Sequence, residues 1–444
     1  MKVMFGSGHN SDQDQKKTSR RDFLRAAAML AGSAAIVGCR KHSQGNRTAK
    51  IGYVAPKTGS LAAFCEADPF VLGGIRRALA GGLIIAGRIH PVEIYAKDSM
   101  SDPNRAAEVA AELINSVEVD LLLTSNTPET VSPVSDQAEI NGVPCISTDA
   151  PWQPYFFGRG GKLDRPFEWT YHFFWGVDQL ATVYSNMWAS LPTNKTIGAL
   201  WGNDNDGNAF SDPKTGFPPV LAARGFKIVD PGRFPSAITD FSAQIIAFKN
   251  AGVEICTGVL APPQFATFWS QAAQQGFRPK IVTFAKALLF PAAIESLGGR
   301  GSGLSSEVWW SPNHPFRSSV TNQSAAEFCA DYERQTGKQW TQPMGYKHAL
   351  FSVAIDVLKR VTNIDSPESI RDAIRATSYD SIVGRIQWTG NPVANVCRTP
   401  LVGGQWVRGS HYPYDLQVVN DEGENEIPTR AALQPLDDVN GAGV

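Results

Sequence analysis

The stretch Ile51-Gly52-Tyr53-Val54-Ala55-Pro56-Lys57-Thr58-Gly59 opens the regular part of the chain: a short β-prone run passes into a turn that begins with Pro and ends with Gly. The elements next in the chain decide the fold. An apolar helical stretch at 67–80 leads to the strand Val92-Glu93-Ile94-Tyr95-Ala96, and then to Asp102-Pro103, which caps and opens a helix. In that helix Ala106, Val109, Ala110, Leu113 and Val117 recur at helical spacing and form one apolar face. A strand at 121–123, a helix through Ala138 and a strand at 143–146 complete the series. Short strands alternating with helices specify parallel sheets, because parallel neighbours can only be joined by a crossover.

A second series of the same kind begins at Thr196. Strands are expected at 196–201, 226–229, 255–260 and 280–284, with helices at 219–224, 240–250 and 264–275 between them. Gly225, Gly252 and Gly276 stand just past the ends of those helices. Two α/β lobes result. A late helical block comes next, with a capping box at Ser324-Ala325-Ala326-Glu327, a long helix at 346–361 and another opened by Ser366-Pro367. After Ile386 the chain returns to strands and turns, and from Asn420 it becomes a polar tail.

The chain of 444 residues is 43% hydrophobic and 19% charged, enough for two or three domains. A formal net charge of −1 argues against a dedicated nucleic-acid binder, which needs a concentrated basic face. Uninterrupted apolar runs of about eighteen residues are absent, which excludes a polytopic membrane protein. The first residues read as an address. Ser19-Arg20-Arg21-Asp22-Phe23-Leu24-Arg25 precedes a weakly apolar run at 26–37, the pattern of a twin-arginine export signal. That run is shorter than the roughly twenty residues a membrane span needs. Ile36-Val37-Gly38-Cys39 resembles a lipobox that places lipid on Cys39; ordinary cleavage near Ala34 or Ala35 is the alternative. Residues 1–38 are thus a removable signal and 39–49 a tether. Lys2, Lys16, Lys17, Arg20, Arg21 and Arg25 outweigh Asp12, Asp14 and Asp22 in the signal, so the mature chain is mildly acidic.

Chemistry-bearing motifs are scarce. Cys65, Cys145, Cys256, Cys329 and Cys397 have no CxxC spacing, and their odd number leaves at least one thiol without a partner inside the chain. There is no HExxH, GxSxG, GxGxxG or Walker pattern, and Gly298-Gly299-Arg300-Gly301-Ser302-Gly303 comes after a helix-like stretch and reads as a loop. No catalytic residue, metal or cofactor is expected.

The export signal and the two lobes, with Gly52 to Gly59, Asp98 with Ser101-Asp102-Pro103, Asn141-Gly142-Val143-Pro144-Cys145-Ile146-Ser147 and Asp240-Phe241, resemble the branched-chain amino-acid-type solute-binding proteins of ABC importers. The resemblance covers essentially the whole mature chain. It implies a type I periplasmic binding fold of two Rossmann-like α/β lobes with parallel sheets, joined by a three-stranded hinge. Hinge crossings fall near 171–175, 309–312 and 398, which gives lobe 1 as 50–172 plus 311–398 and lobe 2 as 173–310 plus 399–444. It further implies a monomer or weak dimer outside the cytoplasm, anchored through Cys39, that closes on a small solute and serves a membrane permease, with no nucleic acid as partner. A sensing subunit of the same fold and an exported enzyme are the alternatives.

In that family the loops after the third and fourth strands hold a solute's carboxylate, which places Ser125, Asn126, Thr127, Thr148 and Ala150 at the site. Capping of local helices is the competing role for such residues. Asp149 departs from this pattern, since a carboxylate there would repel another unless its side chain points away or the solute is cationic or neutral at that end. Phe64, Cys65 and Glu66 should flank the cleft from the first loop, Cys65 being equally readable as an inert apolar group. From the second lobe come Asn203, Asp204, Pro262, Gln264 and Lys286, the last either pairing with an anionic solute or lying in solvent at the rim. Ten of the 24 residues at 152–175 are aromatic, in a chain with 23 Phe, 11 Trp and 10 Tyr. Trp152 begins this run and Trp309-Trp310 arrive at another crossing, so an aromatic-lined cleft suited to a flat ring is expected. An aromatic acid, an aliphatic amino acid and an amide are the candidate solutes.

Overall fold

The computed structural model describes residues 47–391, 393–421 and 426–436; the export signal, Cys39 and the tether as far as residue 46 lie outside them. Two main sheets organise the described chain. The first has six parallel strands in the order Val396–Cys397, Thr170–Phe173, Cys145–Thr148, Leu121–Ser125, Ala49–Ala55 and Val92–Asp98. Every residue of Leu121–Ser125 and Cys145–Thr148 is buried, as expected where helices cover both faces of a parallel sheet. The second sheet has seven strands in the order Tyr414–Asn420, Val402–Arg408, Ser305–Val308, Ile281–Ala285, Ile255–Val259, Thr196–Trp201 and Lys227–Val229. Its two late strands pair antiparallel at one edge, and the rest are parallel.

The chain leaves the first sheet at Phe173, returns after Val308 and leaves again after Cys397. The architecture is therefore an α/β pair of lobes linked by three crossing segments. Helix Gln342–Arg360 is almost wholly buried and packs on the first lobe. It begins earlier than the apolar pattern suggests, because Pro343 is well suited to a first turn whose N–H groups need no helical partner.

This order places the site. Ala49–Ala55 lies between Leu121–Ser125 and Val92–Asp98, so successive crossovers diverge and leave a crevice beyond the strands' carboxyl ends. Thr196–Trp201 takes the same position between Lys227–Val229 and Ile255–Val259 in the second sheet. An antiparallel hairpin, Leu83–Ile85 with Arg88–His90, interrupts the expected run between the first two strands. All five cysteines of the described residues are buried free thiols.

Candidate functional site

The loops at these carboxyl ends are held in unusual backbone geometry. Asn126, Thr127, Asp149 and Lys286 all have φ between +62° and +75° without being glycine. Each such residue costs on the order of 1–3 kcal/mol and persists where the surroundings hold it in place. The Thr127 N–H donates to the Asp149 carbonyl at 2.9 Å, tying together the loops after two adjacent strands.

Between the lobes these loops enclose a void of about 30 Å³, room for a water molecule. Phe64, Thr127, Pro128, Asp149 and Pro151 line it from the first lobe, and Phe174, Trp175 and Trp309 from the crossing segments. Asp206, Phe210, Val259, Lys286, Leu289 and Glu307 contribute from the second. The walls are mainly apolar and aromatic, with a few polar groups converging.

Lys286 organises the charge. Its Nζ lies 3.0 Å from Asp206 Oδ2 in its own lobe and 3.5 Å from Glu129 Oε1, in the first turn of helix Thr127–Asn141 of the other lobe. Burial opposes the ammonium, but Glu129 and Asp206 outweigh it and raise the lysine's affinity for its proton. Burial likewise opposes the Glu129 carboxylate and is outweighed by Lys286, so its pKa falls, whereas for Asp206 burial prevails and the pKa rises. Glu307 is also pushed up by burial; it accepts from the Tyr184 hydroxyl at 2.5 Å, and its Oε2 lies 2.8 Å from Ser306 Oγ. In the first lobe burial lifts Asp149 to about 8, with Lys347 and Thr148 pulling it partly back.

Several buried polar atoms here have no partner: Thr127 Oγ1, Glu129 Oε2, Asp206 Oδ1, and the indole nitrogens of Trp175 and Trp309. Such atoms are uncommon because each forfeits its hydration without replacement. Donors and acceptors alike are left ready for a polar solute.

Of the residues singled out from sequence, Phe64, Thr127, Asp149, Lys286 and Trp309 line the void. Lys286 is neither free nor solvated, since its charge is already met by two carboxylates. The others have different work. Cys65 lies behind the wall with Sγ 3.5 Å from Lys347 Nζ, and Glu66 pairs with Lys338 at 2.8 Å. The Ser125 hydroxyl bonds the Tyr53 hydroxyl at 3.0 Å, and the Asn126 amide sits beside Asp149 and Lys347. Thr148 donates to the Phe173 carbonyl at 2.7 Å, and the Ala150 carbonyl bonds His172 Nε2 at 2.7 Å. Trp152 packs against Phe157, Trp310 donates to the Ile382 carbonyl at 3.0 Å, and exposed Asn203 bonds Phe234 through its backbone. Asp204 caps helix Asn205–Phe210, Pro262 opens helix Pro262–Gln274, and Gln264 bonds back to the N-cap of that helix. Asp204 and Gln264 thus serve as helix caps here.

The aromatic run divides in the same way. Phe174 and Trp175 face the void, whereas Tyr155, Phe156 and Phe167 pack together, with the Arg159 guanidinium 4.1 Å over Phe167. Sequence reading missed Asp206, Phe210, Leu289 and Glu307 as wall residues and Glu129 as a partner of Lys286. Asp206 meets a lysine 80 residues later in the chain, a pairing with no local signature.

Two α/β lobes closing over a small void at the carboxyl ends of their strands, with aromatic walls and unpaired polar groups, define a cleft protein for small solutes. The chain belongs to the periplasmic binding protein family, whose model matches residues 48–408. Solved structures share the fold. A leucine-binding protein from Thermotoga maritima is 21% identical and superposes with a TM-score of 0.67, covering 83% of this chain and 97% of that one. A branched-chain amino-acid transporter substrate-binding protein from Streptococcus pneumoniae, in complex with isoleucine, is 17% identical with a TM-score of 0.64, covering 84% and 100%. A solute-binding protein of an ABC transporter from Rhodopseudomonas palustris, in complex with 3,4-dihydroxybenzoic acid, is 18% identical with a TM-score of 0.68, covering 85% and 99%.

Proposed function

We propose that this protein is the extracytoplasmic solute-binding component of an ABC importer, and that it takes a small organic solute with an aromatic or bulky apolar body. Residues 1–38 direct export through the twin-arginine route and Cys39 carries the lipid anchor. Lobe 1 comprises 50–172 with 311–398, and lobe 2 comprises 173–310 with 399–444. Closure excludes water from the solute and creates the surface that the permease reads.

The observation that carries this reading is the lining of the interlobe void, which at about 30 Å³ admits a solute only when the lobes part. Phe64, Phe174, Trp175, Phe210 and Trp309 supply flat apolar surface, and the unpaired donors and acceptors supply polar anchors. An aromatic acid or an aromatic amino acid meets both demands better than an aliphatic amino acid. Thermal-shift screening of the mature protein with benzoate, 4-hydroxybenzoate, phenylalanine, benzamide and leucine tests it. A ligand at a hundredfold excess over its dissociation constant stabilises by about 2.7 kcal/mol, which raises the melting temperature visibly. A shift with leucine and none with the aromatic compounds would refute the aromatic reading. Intact mass of the membrane-extracted protein tests the anchor: a mature chain without diacylglyceryl on Cys39 is incompatible with it.

A further inference from the structure

Beneath the first-lobe wall of the void lies a cluster of buried ionisable groups that closure of the lobes does not employ. Lys347 of helix Gln342–Arg360 has a side chain only 1% exposed. Its ammonium donates to Asp68 Oδ1 at 2.5 Å and to the Phe64 carbonyl. Asp68 Oδ2 accepts a second bond, from the Tyr53 hydroxyl at 3.0 Å. With the Asn126 amide oxygen turned to the ammonium at 3.1 Å, its nitrogen donates to Asp149 Oδ2 at 3.0 Å. Asp149 is itself 3% exposed.

The cluster contains one cation and two carboxyl groups. An uncompensated charge in such a place is costly, so only one carboxyl is ionised. Asp68 is the ionised one, since it takes the ammonium directly and a phenolic hydrogen as well. The Thr148 hydroxyl gives its hydrogen chiefly to the Phe173 carbonyl at 2.7 Å and is only a weak second donor to Asp149 Oδ1 at 3.3 Å, too little to hold that carboxyl ionised.

We infer that Asp149 stands at the cleft as a neutral carboxylic acid and donates its proton to an acceptor oxygen, carboxylate or carbonyl, of the solute. This rests on reading the void as the solute site. The unpaired hydroxyl of Thr127 and the unpaired indole N–H groups of Trp175 and Trp309 lie on the same void and add further donors. Asp206, with one unpaired oxygen beside Lys286, lines the same void from the second lobe and suits a hydroxyl or amine at the solute's other end. The repulsion expected between Asp149 and a solute carboxylate thereby becomes a hydrogen bond. The groups acting on Asp149 are Asp68, Tyr53, Tyr346 and Lys347, together with its own burial, and burial is the largest influence.

Two measurements decide the matter. Infrared difference spectra of solute-free wild type and Asp149→Asn should show a protonated carboxyl stretch at pH 7 that the variant lacks and that titrates away near pH 8. Absence of that band at pH 7 overturns the inference. Calorimetry with benzoate, whose carboxylate stays ionised throughout, should give a steady dissociation constant from pH 6 to about 7.5 and then roughly tenfold weakening per pH unit above 8. Asp149→Asn retains an N–H donor and should bind without that dependence. A flat wild-type profile through pH 9.5 overturns the donor role. Failure of benzoate to bind at any pH refutes the aromatic-acid solute of the preceding section, while the carboxyl band still decides whether Asp149 is neutral.

Discussion

Asp149 and Lys347 show how much a single side chain's surroundings decide. A carboxyl raised to about 8 in the folded protein, against an ordinary value of about 3.9, is a statement about stability as well as binding. Between those values the folded chain holds one more proton than the unfolded chain. Its contribution is therefore complete below about pH 4 and is lost as the pH rises through 8. Urea midpoints at pH 5, 6, 7 and 8 should show wild type losing stability relative to Asp149→Asn by up to about 1.4 kcal/mol per pH unit. Parallel profiles would show that Asp149 is ionised throughout. Lys347→Met is the harsher change. It leaves Asp68 buried without its cation and should cost about 3–5 kcal/mol, whereas Lys338→Met, at an exposed pair with Glu66, should stay within about 1 kcal/mol. At this scale the sequence marked Thr127 and Asp149 through their place after β-runs. It was silent on Glu129 and Asp206, whose roles depend on a lysine distant in the chain.

Elements were legible where their ends carry local chemistry and obscure where they do not. Asp102 precedes Pro103, and its Oδ1 accepts from the Arg105 N–H at 2.8 Å; Ser324 with Glu327 and Ser366 with Pro367 announce two more helices the same way. Helix Val177–Ala189 starts from Gly176, which offers no capping side chain, and went unannounced. The hairpin at Leu83–Ile85 turns through Ala86 and Gly87, with φ of +47° and +77°. Alanine at the first left-handed position hides the Asn-Gly signal such a turn usually shows. Strand Ser305–Val308 is polar in sequence yet wholly buried, because Ser305 and Ser306 donate to the carbonyls of Val282 and Phe284 while Glu307 accepts from Tyr184. Capping is also the feature most simply tested. Asp102→Ala should lower unfolding free energy by about 1 kcal/mol in urea titration and leave solute affinity unchanged, since the cap lies away from the void. An affinity loss would mean that the loop before this helix reaches the solute.

For the whole molecule the governing quantity is the balance between open and closed lobes, and a solute shifts it only by its differential affinity for the two. The ion pair from Lys286 to Glu129 is one contribution that the chain makes by itself to the closed side. Asp206 belongs to the same lobe as Lys286 and stabilises the lysine in either arrangement, so Glu129 is the group whose interaction is lost on opening. Glu129→Gln keeps the size and polarity of the side chain and removes its charge. A partly exposed pair at 3.5 Å contributes on the order of 1 kcal/mol, about fivefold in the open-to-closed ratio. Small-angle scattering of the solute-free variant should therefore give a larger radius of gyration than wild type, and the wild-type value should rise with added salt while the variant's stays constant. Solute affinity should fall by a similar factor, because binding then has to supply the closure that the ion pair no longer supports. Unchanged scattering together with unchanged affinity would assign Lys286 and Glu129 to local packing alone and leave closure to the solute.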